Sequence, residues 1–153
     1  MTDRTTGMYW EDFSVGMIIT TPARTITSTD IVNFACLSGD FNEVHTNWEY
    51  CKNTPFGEPI AHGPLVYAVM GGLQYASGVN RNTLLALLQV DKWRMLEPVK
   101  HGDTLHAEAT VLETKPSKKT DRGVVKLHRK FVRQDGVVVQ EMEVSILYRR
   151  KPQ

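Results

Sequence analysis

Cysteine is scarce. Cys36 and Cys51 are the only two in the chain, with no Cys-x-x-Cys and no close pair of histidines at ligand spacing, which argues against a disulfide framework or a structural zinc. Both are expected to be reduced, buried thiols. A charge excess of either sign is also missing. The 18 Lys and Arg stand against 17 Asp and Glu, so no broad field attracts nucleic acid or an anionic membrane. That balance leaves a small molecule or another protein as the partner. The segment Met1 to Asp12 is polar, without a charged-then-apolar leader pattern, so a cytoplasmic setting is expected rather than secretion. Long apolar runs are nearly absent too. Gly63 to Asn80 carries no charge and approaches the shortest bilayer span, but it contains four glycines, Gln74, Ser77 and Asn80. It is expected to be a buried helix, with no membrane role.

What is present fits one domain over residues 1–153, without repeat or linker, in which a chain of this size buries roughly 70% of its unfolded surface. Met17 to Ile26 reads as a first strand. Thr27-Ser28-Thr29-Asp30 has the form of a capping box, with the acid complementing the helix dipole. Ile31, Phe34 and Ala35 give the following helix an apolar face, and Ser38-Gly39 is suited to end it. Asp40 to Pro59 is turn-rich, with a short helix expected around Trp48 to Lys52. Pro64 opens an apolar helix to about Ser77, since its missing N–H would be unpaired there anyway. That helix is apolar almost all round and needs wrapping, with Tyr67, Met70, Leu73 and Tyr75 expected in the core.

The second half supplies strands: Leu84 to Met95, Thr104 to Thr114, Val124 to Arg133 and Val138 to Arg149. Leu105, Ala107, Ala109 and Val111 alternate with polar neighbours, as expected of a half-buried strand. Lys115 to Gly123 and Gln134-Asp135-Gly136 read as hairpin connections. The pattern predicts an α+β fold, a curved antiparallel sheet around a central helix.

The densest polar cluster is Ser38-Gly39-Asp40-Phe41-Asn42-Glu43-Val44-His45, followed by Ala61-His62-Gly63. On one regular helix Asp40 and His45 would project about 140° apart, because each residue turns about 100°. A helix end at Gly39 and a tight non-helical turn over 40–45 would aim both at one water. A carboxylate and an imidazole so placed can divide proton removal from proton donation. Gly63, at the helix start, offers backbone N–H groups at the positive dipole end, where one donor to a developing oxyanion is worth roughly 3 kcal/mol.

Asp-x-Asn-x-x-His, Ala-His-Gly leading into an apolar helix, and Trp93-Arg94 to Pro98-Val99-x-x-Gly102-Asp103-Thr104-Leu105 together resemble the MaoC-like dehydratases, from about Tyr9 to Tyr148. The resemblance implies a hot-dog fold and an (R)-specific enoyl-CoA hydratase activity. It assigns Asp40 and His45 as the acid/base pair, Asn42 as the amide that orients them, and Gly63 as the oxyanion-hole amide. It also implies at least a homodimer, with higher homo-oligomers open, acting on an acyl-CoA thioester without metal or redox cofactor, coenzyme A being part of the substrate. Pro64, where many relatives carry Met or Leu, is expected to shape the acyl pocket.

Asp40 and Asn42 are also common turn-capping residues; the catalytic reading is preferred because His45, Gly63 and the downstream motif accompany them. His62 is expected to play a structural part beside the substrate. Tyr67 is a candidate acyl-tunnel residue, and Lys92 and Arg94, with Lys100, are candidates for coenzyme A phosphates. His101, His106, His128 and the Lys118-Lys119 pair are expected in solvent. A hot-dog acyl-CoA thioesterase and a non-catalytic acyl-CoA-binding domain remain as alternatives. The thioesterase would not need the Asp-x-Asn-x-x-His loop, and the binding domain would have no chemical reason to keep Asp40 and His45.

Overall fold

The computed structural model describes residues 6–152, so the sequence reading of Met1 to Asp12 falls partly outside the described residues. A 3-10 turn over Trp10–Asp12 precedes strands β1 (Ile18–Thr20) and β2 (Arg24–Thr25). Helices α1 (Ser28–Ser38), α2 (Glu43–Thr46), α3 (Trp48–Cys51) and α4 (Gly63–Ala76) follow. Then come β3 (Leu84–Met95), β4 (Thr104–Pro116), β5 (Arg122–Arg133) and β6 (Val138–Arg149). The antiparallel sheet runs β1-β4-β5-β6-β3, with β2 also on β4. It curves around α4, the hot-dog arrangement. No helix among the described residues is long and apolar enough to cross a membrane.

The single strand expected over Met17 to Ile26 is instead two pieces. Thr21 donates its N–H to the Ala107 carbonyl, and its Oγ1 accepts from the Ala107 N–H, both at 2.9 Å. A side chain thus replaces the main-chain acceptor, and Pro22 has no N–H with which to continue the ladder. The capping box is present: Asp30 N–H donates to Thr27 Oγ1 at 3.3 Å, and Thr27 N–H donates to Asp30 Oδ2 at 2.8 Å. A cap of this kind contributes about 1 kcal/mol. Gly39 closes α1 at φ 76°, a left-handed conformation that a side chain would strain.

Leu105, Ala107, Ala109 and Val111 of β4 face Leu65, Val66, Val69, Met70 and Leu73 of α4, with Leu127, Phe131, Met142, Val144 and Ile146 completing the core. Each of the larger side chains contributes about 2 kcal/mol by leaving water. The wrapping of α4 covers one side only. Pro64, Ala68, Gly71, Gly72 and Tyr75 are exposed, and Tyr67 is half-buried. Tyr75, expected in the core, is therefore outside it, because the sheet reaches only the face that carries 65, 66, 69, 70 and 73. Cys36 likewise lies on the outer side of α1 and is exposed. Cys51 is buried, and burial followed by the nearby Glu43 pushes its thiol pKa up.

On the outer face of the sheet, Glu143 pairs with Lys92 and Lys126, both at 2.6 Å. Glu141 pairs with Arg94 and with His128 Nε2 at 3.2 Å. His128 and His106 are half-buried rather than solvated, His106 lying 3.5 Å from Glu108. His101 is exposed, but its Nδ1 accepts from the Ser28 N–H at 2.9 Å.

The hydrogen bonds from Lys126 and Lys92 depress the Glu143 carboxyl from 4.5 to about 2. A carboxyl lowered on folding stabilises the protein above its unfolded pKa, and that contribution is lost as pH falls through the folded value. The melting temperature of the natural chain should therefore fall more steeply between pH 4.5 and about 2 than that of Glu143→Gln. Parallel acid limbs would show that the two ion pairs contribute nothing.

Candidate active site

The site begins where α1 stops. After Gly39 the chain reverses, Asn42 N–H donates to Asp40 Oδ1 at 3.2 Å, and Val44 N–H donates to Asn42 Oδ1 at 3.3 Å. Asn42 is thereby the N-cap of the one-turn helix α2. The segment 40–45 is thus not the wholly non-helical turn expected from spacing. Asp40 precedes the cap, His45 follows it, and the change of direction at Asn42 removes the separation a continuous helix would impose. His45 Nε2 lies 4.0 Å from Asp40 Oδ2, a gap that one water can bridge. Asn42 uses its side-chain oxygen as a cap and so fixes the loop that carries both groups.

Two main-chain carbonyls set the protons on the imidazoles. His45 Nδ1 lies 2.7 Å from the Ile60 carbonyl, and His62 Nε2 lies 3.0 Å from the Asp40 carbonyl. A carbonyl only accepts, so each of these nitrogens carries the hydrogen. Nε2 of His45, facing Asp40, is left to gain and lose a proton. The rings stack at 3.7 Å between centroids, and Phe34 packs on His62 at 5.0 Å. His62 is buried, and its Nδ1 is enclosed without a partner.

Asp40, His45 and His62 bring potential ligand atoms within 4.8 Å of one another. Spacing along the chain gave no hint of this, because folding closes the 22-residue separation between Asp40 and His62. Stacked rings point their in-plane lone pairs side by side rather than at one ion, and one nitrogen of each ring already donates. The arrangement suits proton transfer better than cation binding.

Gly63 is the first residue of α4, with His62 as N-cap. Its N–H belongs to the first turn, which has no intrahelical acceptor and sits at the positive dipole end. A Cβ there would stand 2.6 Å from Met95 Cε. The Gly63 carbonyl accepts from Gln140 Nε2 at 3.1 Å, and Gln140 Oε1 accepts from Trp93 Nε1 at 3.1 Å. Gln140 is buried and holds the start of α4 against β6. Its signal in the sequence is a polar residue in the inward-facing series with Met142 and Val144.

His45 and Gly63 line one cleft of about 320 Å³ with Ile60, Val66, Met95, Leu96 and Gln140. Asp40 lies beyond His45, its side chain 53% exposed. Pro64 is exposed beside Gly63, and Tyr67 packs on Trp93 at 5.3 Å between ring centroids. Lys92 and Arg94 are not brought to the cleft: both are held in ion pairs on the outer face of the sheet.

Comparison with known proteins identifies the family. A family described as MaoC like domain matches residues 13–130. Protein MaoC of Klebsiella aerogenes is 38% identical over 102 residues, which is 67% of this chain but 30% of that protein. An (R)-specific enoyl-CoA hydratase of Rhodospirillum rubrum is 36% identical over 115 residues, covering 72% of this chain and 74% of the relative. A Mycobacterium tuberculosis protein described as a double hotdog fold superposes with a TM-score of 0.85 at 19% identity, covering 96% of this chain and 46% of that one, a likeness of fold alone. The match over residues 13–130 and the Rhodospirillum rubrum relative together show that the chain belongs to the MaoC-like dehydratase family.

Proposed function

We propose that this protein catalyses the reversible syn hydration of a trans-2-enoyl-CoA to the (R)-3-hydroxyacyl-CoA. The observation that carries the reading is the 4.0 Å approach of Asp40 to His45 Nε2, with His45 and Gly63 lining one mostly apolar cleft. The name of the Rhodospirillum rubrum relative supports the reaction class. The thioester carbonyl sits at the Gly63 N–H, where the start of α4 stabilises the enolate oxygen that forms as water adds. Asp40 takes a proton from the water as its oxygen bonds to the β-carbon. His45, protonated at Nε2, delivers a proton to the α-carbon. Return of the proton from Asp40 to His45 restores the pair. No cofactor is needed beyond the coenzyme A of the substrate.

The working unit in this reading is a homodimer. β3 is an edge of the sheet, and Leu84, Leu87, Leu88, Trp93 and Met95 on it are exposed. A long apolar edge strand invites pairing with another chain. The match to less than half of a double hot-dog chain fits a second copy in the place of the second hot dog.

Loss of enoyl absorbance on crotonyl-CoA, with chiral analysis of the product, tests the activity. The natural chain should give the (R) alcohol, and Asp40→Asn should lower the rate roughly a thousandfold with its fold retained. A folded Asp40→Asn protein of undiminished rate would remove Asp40 from the reaction, and no hydration across short, long and branched enoyl-CoAs would sink the hydratase reading. Nitrogen-15 spectra supply a separate check: neutral His45 should carry its proton on Nδ1 and neutral His62 on Nε2. The opposite tautomer at His45 would leave Nε2 unable to accept a proton and contradict the assigned roles.

A further inference from the structure

The inner face of the sheet carries two long polar side chains, Arg129 of β5 and Gln140 of β6, 5% and 2% exposed. Arg129 does not line the cleft, whereas Gln140 does. The amide of Gln140 has one orientation that suits its neighbours. The Trp93 indole N–H can only donate and the Gly63 carbonyl can only accept, so Oε1 faces Trp93 and Nε2 faces Gly63, at 3.1 Å each. An amide nitrogen carries two hydrogens, and Gly63 takes one. Among the described residues nothing accepts the other. A buried donor left without an acceptor costs stability, and the space that this side chain borders is the cleft.

The place of Nε2 beside Gly63 identifies the acceptor. It lies 3.7 Å from the point a Cβ would take on Gly63, a point that Met95 also covers. The Gly63 nitrogen is about 2.5 Å from that point by standard geometry, so the two nitrogens stand within about 6 Å of each other. One oxygen accepting at about 3 Å from each spans that distance. Met95 is a flexible thioether that can yield to a ligand. The bond from Trp93 to Oε1 draws charge from the amide and strengthens its N–H groups as donors.

Resting on the hydratase reading, in which the thioester carbonyl meets the Gly63 N–H, we propose that Gln140 is a second catalytic donor. Its remaining Nε2–H bonds the same carbonyl oxygen, so that one main-chain and one side-chain N–H hold the enolate together. Gln140 transfers no proton in this role. The bond strengthens as charge gathers on the oxygen during water addition and relaxes when the α-carbon takes its proton. It therefore lowers the barrier more than it tightens substrate binding.

Nitrogen-15 spectra of the full natural chain tests the contact without turnover, with the Gln140 side-chain signals identified by their proximity to the Trp93 indole N–H. The ligands are butyryl-CoA, a saturated thioester that cannot be hydrated, and S-butyl-CoA, the thioether in which a methylene replaces the carbonyl. The Nε2 proton not bonded to Gly63 should move downfield when butyryl-CoA binds and stay in place when S-butyl-CoA binds. Gln140→Met should lower kcat on crotonyl-CoA about a hundredfold with KM changed little, the loss expected of one oxyanion donor. A proton unmoved by saturating butyryl-CoA would overturn the proposal and leave Gln140 a brace for the start of α4. So would an equal shift with both ligands, which reports a change in the cleft and not a bond to the carbonyl. A folded Gln140→Met protein with undiminished kcat would overturn it as well, and the ligand comparison decides even where that variant fails to fold. A carbonyl-dependent shift with no hydration of any enoyl-CoA would keep Gln140 as the thioester donor and sink the hydratase reading. Hydration of crotonyl-CoA with the proton unmoved would do the reverse.

Discussion

The bond from His62 Nε2–H to the Asp40 carbonyl joins the two halves of the site. It ties the loop after α1 to the residue that caps α4, so the carboxylate and the helix N-terminus are placed by one contact. The ring that makes this bond also presents a flat face to His45, with Phe34 packed against it. A Lys or Gln there could donate to the carbonyl but would offer no rigid plane against which His45 could rest. The neighbouring residues extend the same device. Ile60 supplies the carbonyl that fixes the proton of His45, and the Ala61 N–H anchors the segment to the Val99 carbonyl at 2.7 Å. Gly63, which lines the cleft, then opens α4. Four consecutive residues thus orient the imidazole, anchor the backbone, brace the loop and open the central helix.

The sheet braces this segment from beneath. Gln140 reaches from β6 to the Gly63 carbonyl while its oxygen takes the Trp93 indole N–H. Both ends of a buried amide are thereby satisfied, where a half-satisfied one would cost stability. Trp93 in turn packs on Tyr67, so the edge strand and the central helix are joined beside the cleft. Asp40, by contrast, stands on an exposed loop and depends on hydrogen bonds to neighbouring backbone.

The sheet and its helices were readable in the sequence wherever one physical rule governed a whole element. Alternation in Leu105 to Val111 located β4 and its inner face, and Thr27 with Asp30 located the start of α1. Reading failed where two rules compete over a few residues. Pro22 and the Thr21 side chain break a run that looks like one strand, and Asn42 caps a helix of four residues too short to show a period. The pairing of His62 with His45 has no local signal, since it forms between segments fixed only by the packing of α4. Arg129 and Gln140 were within reach, because each is a polar residue in an inward-facing series. Alternation alone says where such a residue points and not what it meets.

The distribution of cations across the sheet supplies the last step. On the outer face Lys92, Arg94 and Lys126 all have acidic partners, though exposed pairs contribute little and need not be matched. On the inner face, where pairing matters most, Arg129 has no acid within the described residues. A sequence shaped only for stability would place a Leu or Met between Leu127 and Phe131 and keep its acids wherever charge is buried. The sign of a residue's environment therefore follows the alternation of its strand: the outward cations meet Glu141 and Glu143 of β6, and the inward turn of β5 leaves Arg129 among apolar side chains.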